Sequence, residues 1–283
     1  KPAPSHRGGL LVFIHCRKMD FKIYTRSKKL LADTLTPVNI YLKLRDVYAG
    51  SFLLESSDYH GQENSLSLIC CDPIASFQVD DDKVTVKYPD GSATVDVLEN
   101  KSEVLERLDQ FRNSFDVQNG DAKYISGGLF GYMTYDAVRY FEKIDISITN
   151  RQIPDVLYKV FRYVIVIDHF SNQLMLFENA TAPDTRSGLE DIQRIIFSNR
   201  LSTFSFSTNS SEVSNVTDDE YRGMVASGIS HCKRGDVFQI VLSRRFSSQF
   251  QGDEFNVYRA LRSINPSPYL FYFDFGGFKI FGS

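Results

Sequence analysis

The 283-residue chain carries 32 Lys+Arg against 35 Asp+Glu, a formal net charge of -3; it lacks the basic surplus that neutralises a row of phosphates, which argues against a nucleic-acid partner. With 42% hydrophobic and 24% charged residues the composition excludes wholesale disorder. A chain of this length buries about 75% of its unfolded surface without a disulfide or metal staple, and about two domains are expected.

In chain order, residues 1–9 lead into an apolar run, 10–16, that stops at Arg17-Lys18 without a small-residue cleavage site. The run is far shorter than the about 20 residues of a membrane span, so neither a signal peptide nor a membrane anchor is expected. Met19 opens a different texture, and residues 1–18 are expected to be an over-extended reading frame or a cloning remnant. Residues 34–180 read mostly as strands. The stretch 38–43 alternates, 48–56 is a compact apolar run, and 65–71 and 75–79 follow as further strands. Strands 83–88 and 93–97 flank the turn Pro89-Asp90-Gly91-Ser92. Residues 102–115 place Val104, Leu105, Leu108, Phe111 and Phe115 at the spacing of one helix face. Residues 124–132 are Gly-rich and aromatic, 158–168 read as a strand covered on both faces, and Asn172-Gln173 turns the chain into a hairpin through 174–179.

An amphipathic helix is expected over 189–201, followed by a Ser/Thr/Asn-rich linker, 202–216. Thr217-Asp218-Asp219-Glu220 fits a capping box that opens a helix to about residue 233, ended by Gly235. A long strand over 236–250, a helix over 254–263 and a hairpin over 269–281 pivoting on Gly276-Gly277 complete the reading. Runs of strands with interspersed helices predict an α+β fold, with antiparallel sheets and flanking helices. The expected units are a domain over 19–180, a helix and linker over 181–216, and the beginning of a second domain over 217–283, truncated because the chain stops inside a strand. Cys16, Cys70, Cys71 and Cys232 form no CxxC pair, which suits a reduced compartment and a cytoplasmic location.

Few motifs carry chemistry. Gly127-Gly128-Leu129-Phe130-Gly131 lacks the Lys-Ser/Thr of a phosphate loop, so tight strand packing is the better reading. Asp80-Asp81-Asp82 reads as a solvated turn, and His231 as a cation complementing a helix C-terminus. His60 and His169 stand at no spacing that marks a nucleophile or metal site. Two segments remain open. Leu53-Leu54-Glu55-Ser56-Ser57 is either a plain strand end or a pocket with apolar walls and an anionic anchor. Asn265-Pro266-Ser267-Pro268-Tyr269 is either a stiff connector or a rigid backbone ledge that binds an amino-acid ligand at low ordering cost.

These two segments, with Gly127-Gly128-Leu129-Phe130-Gly131-Tyr132-Met133-Thr134-Tyr135-Asp136 and the stretch from Gly235 to Phe246, resemble the anthranilate synthase component I family from about Thr25 to Ser283. The resemblance implies an α+β chorismate-binding fold. It also implies conversion of chorismate and glutamine-derived ammonia to anthranilate and pyruvate, the first committed step of tryptophan synthesis. Partners would be a glutamine amidotransferase subunit (component II), chorismate, and tryptophan as feedback inhibitor. Carried over residue by residue, the tryptophan site is Glu55, Ser56, Pro268, Tyr269 and Leu270, with Leu53 and Leu54 walling the indole and Glu55 near the ammonium. The family's catalytic residues and Mg2+ ligands are expected beyond Ser283, so none is assigned here and the fragment is expected to be inactive alone. Aminodeoxychorismate synthase component I is the alternative within the fold; the pairing of Leu-Glu-Ser with Asn-Pro-Ser-Pro-Tyr argues against it. A non-catalytic amino-acid-binding module is the alternative of another class.

Overall fold

A computed structural model describes residues 21–56, 65–121, 123–144, 146, 152–208 and 211–283. The expectations for residues 1–18, Cys16, Ser57 and His60 lie outside them. In chain order the elements are β1 (Phe21–Leu31), α1 (Pro37–Arg45), β2 (Phe52–Glu55), β3 (Leu66–Asp80), β4 (Lys83–Lys87), β5 (Ala93–Val97), α2 (Glu103–Asn113), β6 (Phe115–Gln118) and β7 (Phe130–Met133). A 3-10 helix (Tyr135–Tyr140), β8 (Val156–Asp168), β9 (Gln173–Ala180), α3 (Leu189–Ile196), β10 (Phe206–Thr208), β11 (Val213–Ser214) and α4 (Asp218–Arg234) follow. The chain continues through β12 (Phe246–Ser247), β13 (Phe250–Gly252), α5 (Phe255–Ile264), β14 (Leu270–Asp274) and β15 (Lys279–Gly282).

Eleven strands share one sheet, with the path β15-β14-β2-β3-β8-β9-β1-β6; β4 and β7 attach beside it to β3 and β8, and β5 to β4. All pairs in this sheet are antiparallel except β1 with β6. The architecture is the expected α+β one. Its spine is the long β3–β8 pair. Side chains alternate across a strand, so Tyr163, Ile165 and Ile167 of β8 pack toward α1 and α3, while Val164 and Val166 join a second core with Phe52, Leu68 and Phe177. β8 is thus covered on both faces, as its apolar run predicts.

Several local expectations need correction. Residues 38–43 are helical: the Thr36 hydroxyl accepts from the Asn39 amide at 3.2 Å, Pro37 starts the first turn, and Ile40, Tyr41 and Leu44 fall on one buried face. The alternation there was a helix spacing sampled over too few residues. Strands 65–71 and 75–79 are one strand, broken by a register shift between Pro73 and Ala75, where proline has no amide to give to the ladder. In α2, Val104 and Phe111 are buried but Leu105 is exposed. The helix expected over 189–201 ends at Ile196, and the expected linker contains β10 and β11. The strand expected over 236–250 reduces to β12 and β13. An apolar run becomes a strand only where a neighbour receives its backbone groups, and no described strand pairs with 236–245.

Local signals held elsewhere. The capping box of α4 forms in both directions, with Glu220 accepting from the Thr217 amide at 2.7 Å and Thr217 from the Glu220 amide at 3.3 Å; Gly235 ends the helix in the left-handed conformation. Gly131 is a packing glycine, since a Cβ there would lie 1.9 Å from the Leu157 carbonyl oxygen on β8. His231 occupies the last turn of α4 with Nδ1 2.8 Å from the Asp236 carboxylate.

Candidate functional site

The two segments left open by the sequence are neighbours in the sheet. β2 and β14 pair antiparallel, with Leu270 opposite Glu55, Phe271 opposite Leu54 and Tyr272 opposite Leu53. α5 and the proline-containing turn at 265–269 deliver β14 to this position; the Ser267 hydroxyl accepts from the Tyr269 amide at 3.2 Å. Alternation then sorts the side chains. Leu53, Leu270 and Tyr272 face α1 and α5 in one core, whereas Leu54, Phe271 and Phe273 line a cleft of about 900 Å3 on the other face.

Ser56, Pro268 and Tyr269 lie at the rim of this cleft, and Glu55 and Leu270 also border it. The opposite wall comes from β7 and its flanks: Ile125, Tyr132, Met133, Thr134 and Ile153. The lining is mostly apolar with a few polar groups, the composition of a small-molecule site. Tyr269 is 81% exposed, whereas Glu55 is 5% exposed.

The structure brings all five expected residues together but separates their roles. Burial pushes the Glu55 carboxyl above the usual carboxylate range, against the opposing pull of Tyr258 and Arg262. Its Oε2 accepts from the Tyr258 hydroxyl at 2.6 Å and stands 3.1 Å from Arg262 Nε. These contacts put the carboxylate on the α5 side of the sheet, where it fastens β2 to α5. Leu53 is fully buried on that side too, so Leu54 alone of the leucine pair walls the cleft. Ser56 continues the strand as its amide donates to the Leu66 carbonyl at 3.1 Å.

Sequence spacing missed two arrangements. Ser67, opposite Glu55 on β3, has its hydroxyl 2.7 Å from His169 Nε2. Burial is the main cause holding His169 below the usual imidazole range; Arg262 adds to it and Asp168 opposes it. Ser67 is fully buried, so the pair is structural. The second arrangement supports the far wall. Arg139 and Asp155 form a buried ion pair, joined by a 2.8 Å hydrogen bond from the Tyr140 hydroxyl to Asp155, and the Asp155 carbonyl accepts from the Thr134 amide at 2.8 Å. No periodicity announces partners that meet only through the tertiary fold. Among the described residues, no group of three or more His, Cys, Asp or Glu is placed to hold a metal ion, and no helix is long and apolar enough to cross a membrane.

A mostly antiparallel sheet with flanking helices and an apolar cleft where distant segments converge defines an α+β protein with a candidate small-molecule site. Residues 50–283 match the family model of the chorismate binding enzymes, and the chain belongs to that family. It is similar to anthranilate synthase component 1 of Lactococcus lactis, with 28% identity over 271 residues, covering 90% of this chain and 56% of that protein. The corresponding values for component 1 of Thermus thermophilus are 30% over 264 residues, 88% and 53%. For the chloroplastic anthranilate synthase alpha subunit 1 of Arabidopsis thaliana they are 31% over 286 residues, 88% and 47%. The chain therefore spans about half the length of the curated relatives it matches. Its fold resembles that of crystalline anthranilate synthase component I from Streptococcus pneumoniae, at TM-score 0.56 and 22% identity, covering 90% of this chain and 57% of that one.

Proposed function

We propose that this chain forms part of an anthranilate synthase component I and that its cleft is the feedback site for tryptophan. The complete enzyme would aminate chorismate with ammonia from a glutamine amidotransferase partner and release pyruvate and anthranilate in the cytoplasm. The observation that carries the tryptophan reading is the β2–β14 pairing, which sets Ser56 beside Pro268, Tyr269 and Leu270 at the rim of an apolar cleft. In this reading Leu54 and Phe271 flank the indole, and Ser56 and the backbone of residues 268–270 hold the amino-acid head group. Glu55 shapes the rim through Tyr258 and Arg262 and does not meet the ammonium.

The catalytic residues and the Mg2+ ligands would lie outside these 283 residues. Because the cleft joins segments from both ends of the described chain, an occupant would bias the packing of β14 and α5 against the spine, a route for coupling to a distant active site.

The test is titration calorimetry with inhibition kinetics on the complete enzyme. Ser56→Ala is expected to weaken tryptophan binding about fivefold or more, the ordinary worth of one hydrogen bond, and to relieve inhibition in parallel. Unchanged affinity and inhibition would overturn the assignment. Product analysis separates the two enzyme readings: anthranilate supports this one, aminodeoxychorismate the alternative.

A further inference from the structure

Thr134 stands at the start of the 3-10 helix Tyr135–Tyr140, in extended backbone geometry, yet its side chain makes no capping hydrogen bond. This is unusual, because a threonine in that position ordinarily offers its oxygen to an amide of the first turn. Instead the Ala137 amide donates to the Thr134 carbonyl. The Oγ1 is buried and has no hydrogen-bond partner among the described residues. The residue as a whole is partly exposed and lines the cleft, so its exposed surface belongs to its other atoms. Its backbone is held in place by the Asp155 carbonyl, itself anchored through the buried pair with Arg139.

A buried hydroxyl without a partner is costly and calls for an explanation. The other polar side chains around the cleft supply none. Glu55 is engaged by Tyr258 and Arg262, the Tyr132 hydroxyl donates to the Pro154 carbonyl at 2.9 Å, and Ser56 and Tyr269 belong to the opposite rim. We infer that Thr134 is a specificity residue of the cleft, whose hydroxyl accepts a hydrogen bond from the ring N–H of a bound indole amino acid. One staggered step about Cα–Cβ turns the hydroxyl out of its buried position, and the ligand then supplies the missing partner. This inference rests on the tryptophan reading above. It adds the contact that separates an indole from an apolar ring of equal size, since a site built to bond an N–H rejects the analogue that lacks one.

The experiment titrates the complete enzyme with L-tryptophan and with 3-(3-benzothienyl)-L-alanine, in which sulfur replaces the ring N–H. Wild type is expected to prefer tryptophan about fivefold. Thr134→Val, which keeps the shape and removes the hydroxyl, is expected to bind both ligands alike, and Thr134→Ser to retain the preference. The Val variant is expected to melt no lower than wild type, because it relieves an unpaired group; a clearly lower melting temperature would show the hydroxyl to be satisfied already and overturn the inference. A preference that survives in Thr134→Val, or is missing in wild type, also overturns it. If wild type binds neither ligand, the tryptophan reading itself fails.

Discussion

Glu55 combines burial, a hydroxyl donor and a guanidinium within one strand end. Burial prevails, so the folded protein holds the Glu55 proton more tightly than the unfolded chain does. A group of this kind binds more protons in the native state, and its contribution to stability falls as pH rises from the ordinary carboxylate value through the raised folded one. Melting temperature measured from pH 4 to 7 should therefore show a downward component that Glu55→Gln removes; an unchanged profile would contradict the assignment. The sequence marked Glu55 and Ser56 because a carboxylate and hydroxyl follow an apolar run. Which face each would take was not legible, since that depends on the register of β2 against β14 and a one-residue slip reverses it. The Ser67–His169 contact was hidden for a related reason: the two residues sit 102 positions apart and meet only because β3 and β8 pair.

At the scale of elements, the features read correctly were those with local causes. The capping box and Gly235 set the ends of α4, and Asn172 and Gly276 take the positive φ that their hairpins need. The misread elements depended on neighbours. β1, unremarked in the sequence, is a strand because β9 and β6 receive its backbone groups on its two sides. Residues 236–245 have strand-like composition but no described partner strand. The glycine-rich segment around β7 illustrates how one residue sets an element's approach. Gly131→Ala would force its methyl against the Leu157 carbonyl, pushing β7 from β8 and with it the wall that carries Tyr132, Met133 and Thr134. A loss of about 1–3 kcal/mol in denaturant unfolding is expected, together with weaker binding in the cleft. Wild-type values for both would show that the close approach is not needed.

For the whole molecule, the question is what fastens the C-terminal hairpin and α5 to the spine. Besides the β2–β14 ladder, Arg45 of α1 grips Asp253 through two hydrogen bonds of 2.9 and 2.6 Å, with its guanidinium 5.2 Å from the Phe255 ring. Burial alone would raise the Asp253 carboxyl, but hydrogen bonding and charge from Arg45 outweigh it and hold the group below the usual range. Both side chains are largely buried, so the pair escapes most of the solvent screening that makes exposed ion pairs weak. A double-mutant cycle with Arg45→Met and Asp253→Asn should return a coupling of about 1–3 kcal/mol; additive effects would mean that this pair does not fasten α5 to the spine.

The tie from Tyr258 to Glu55 joins residues 203 positions apart, and this separation has a consequence for biogenesis. On a translating ribosome the spine strands emerge and can pair well before β14 exists. At about 5–20 residues per second, roughly 5–20 s pass between synthesis of β9 and of β14. During that interval β2 presents an open edge on the nascent chain, and the cleft lacks the side that β14 supplies. A ligand that needs both sides of the cleft can therefore bind only after β14 has been made and has paired with β2.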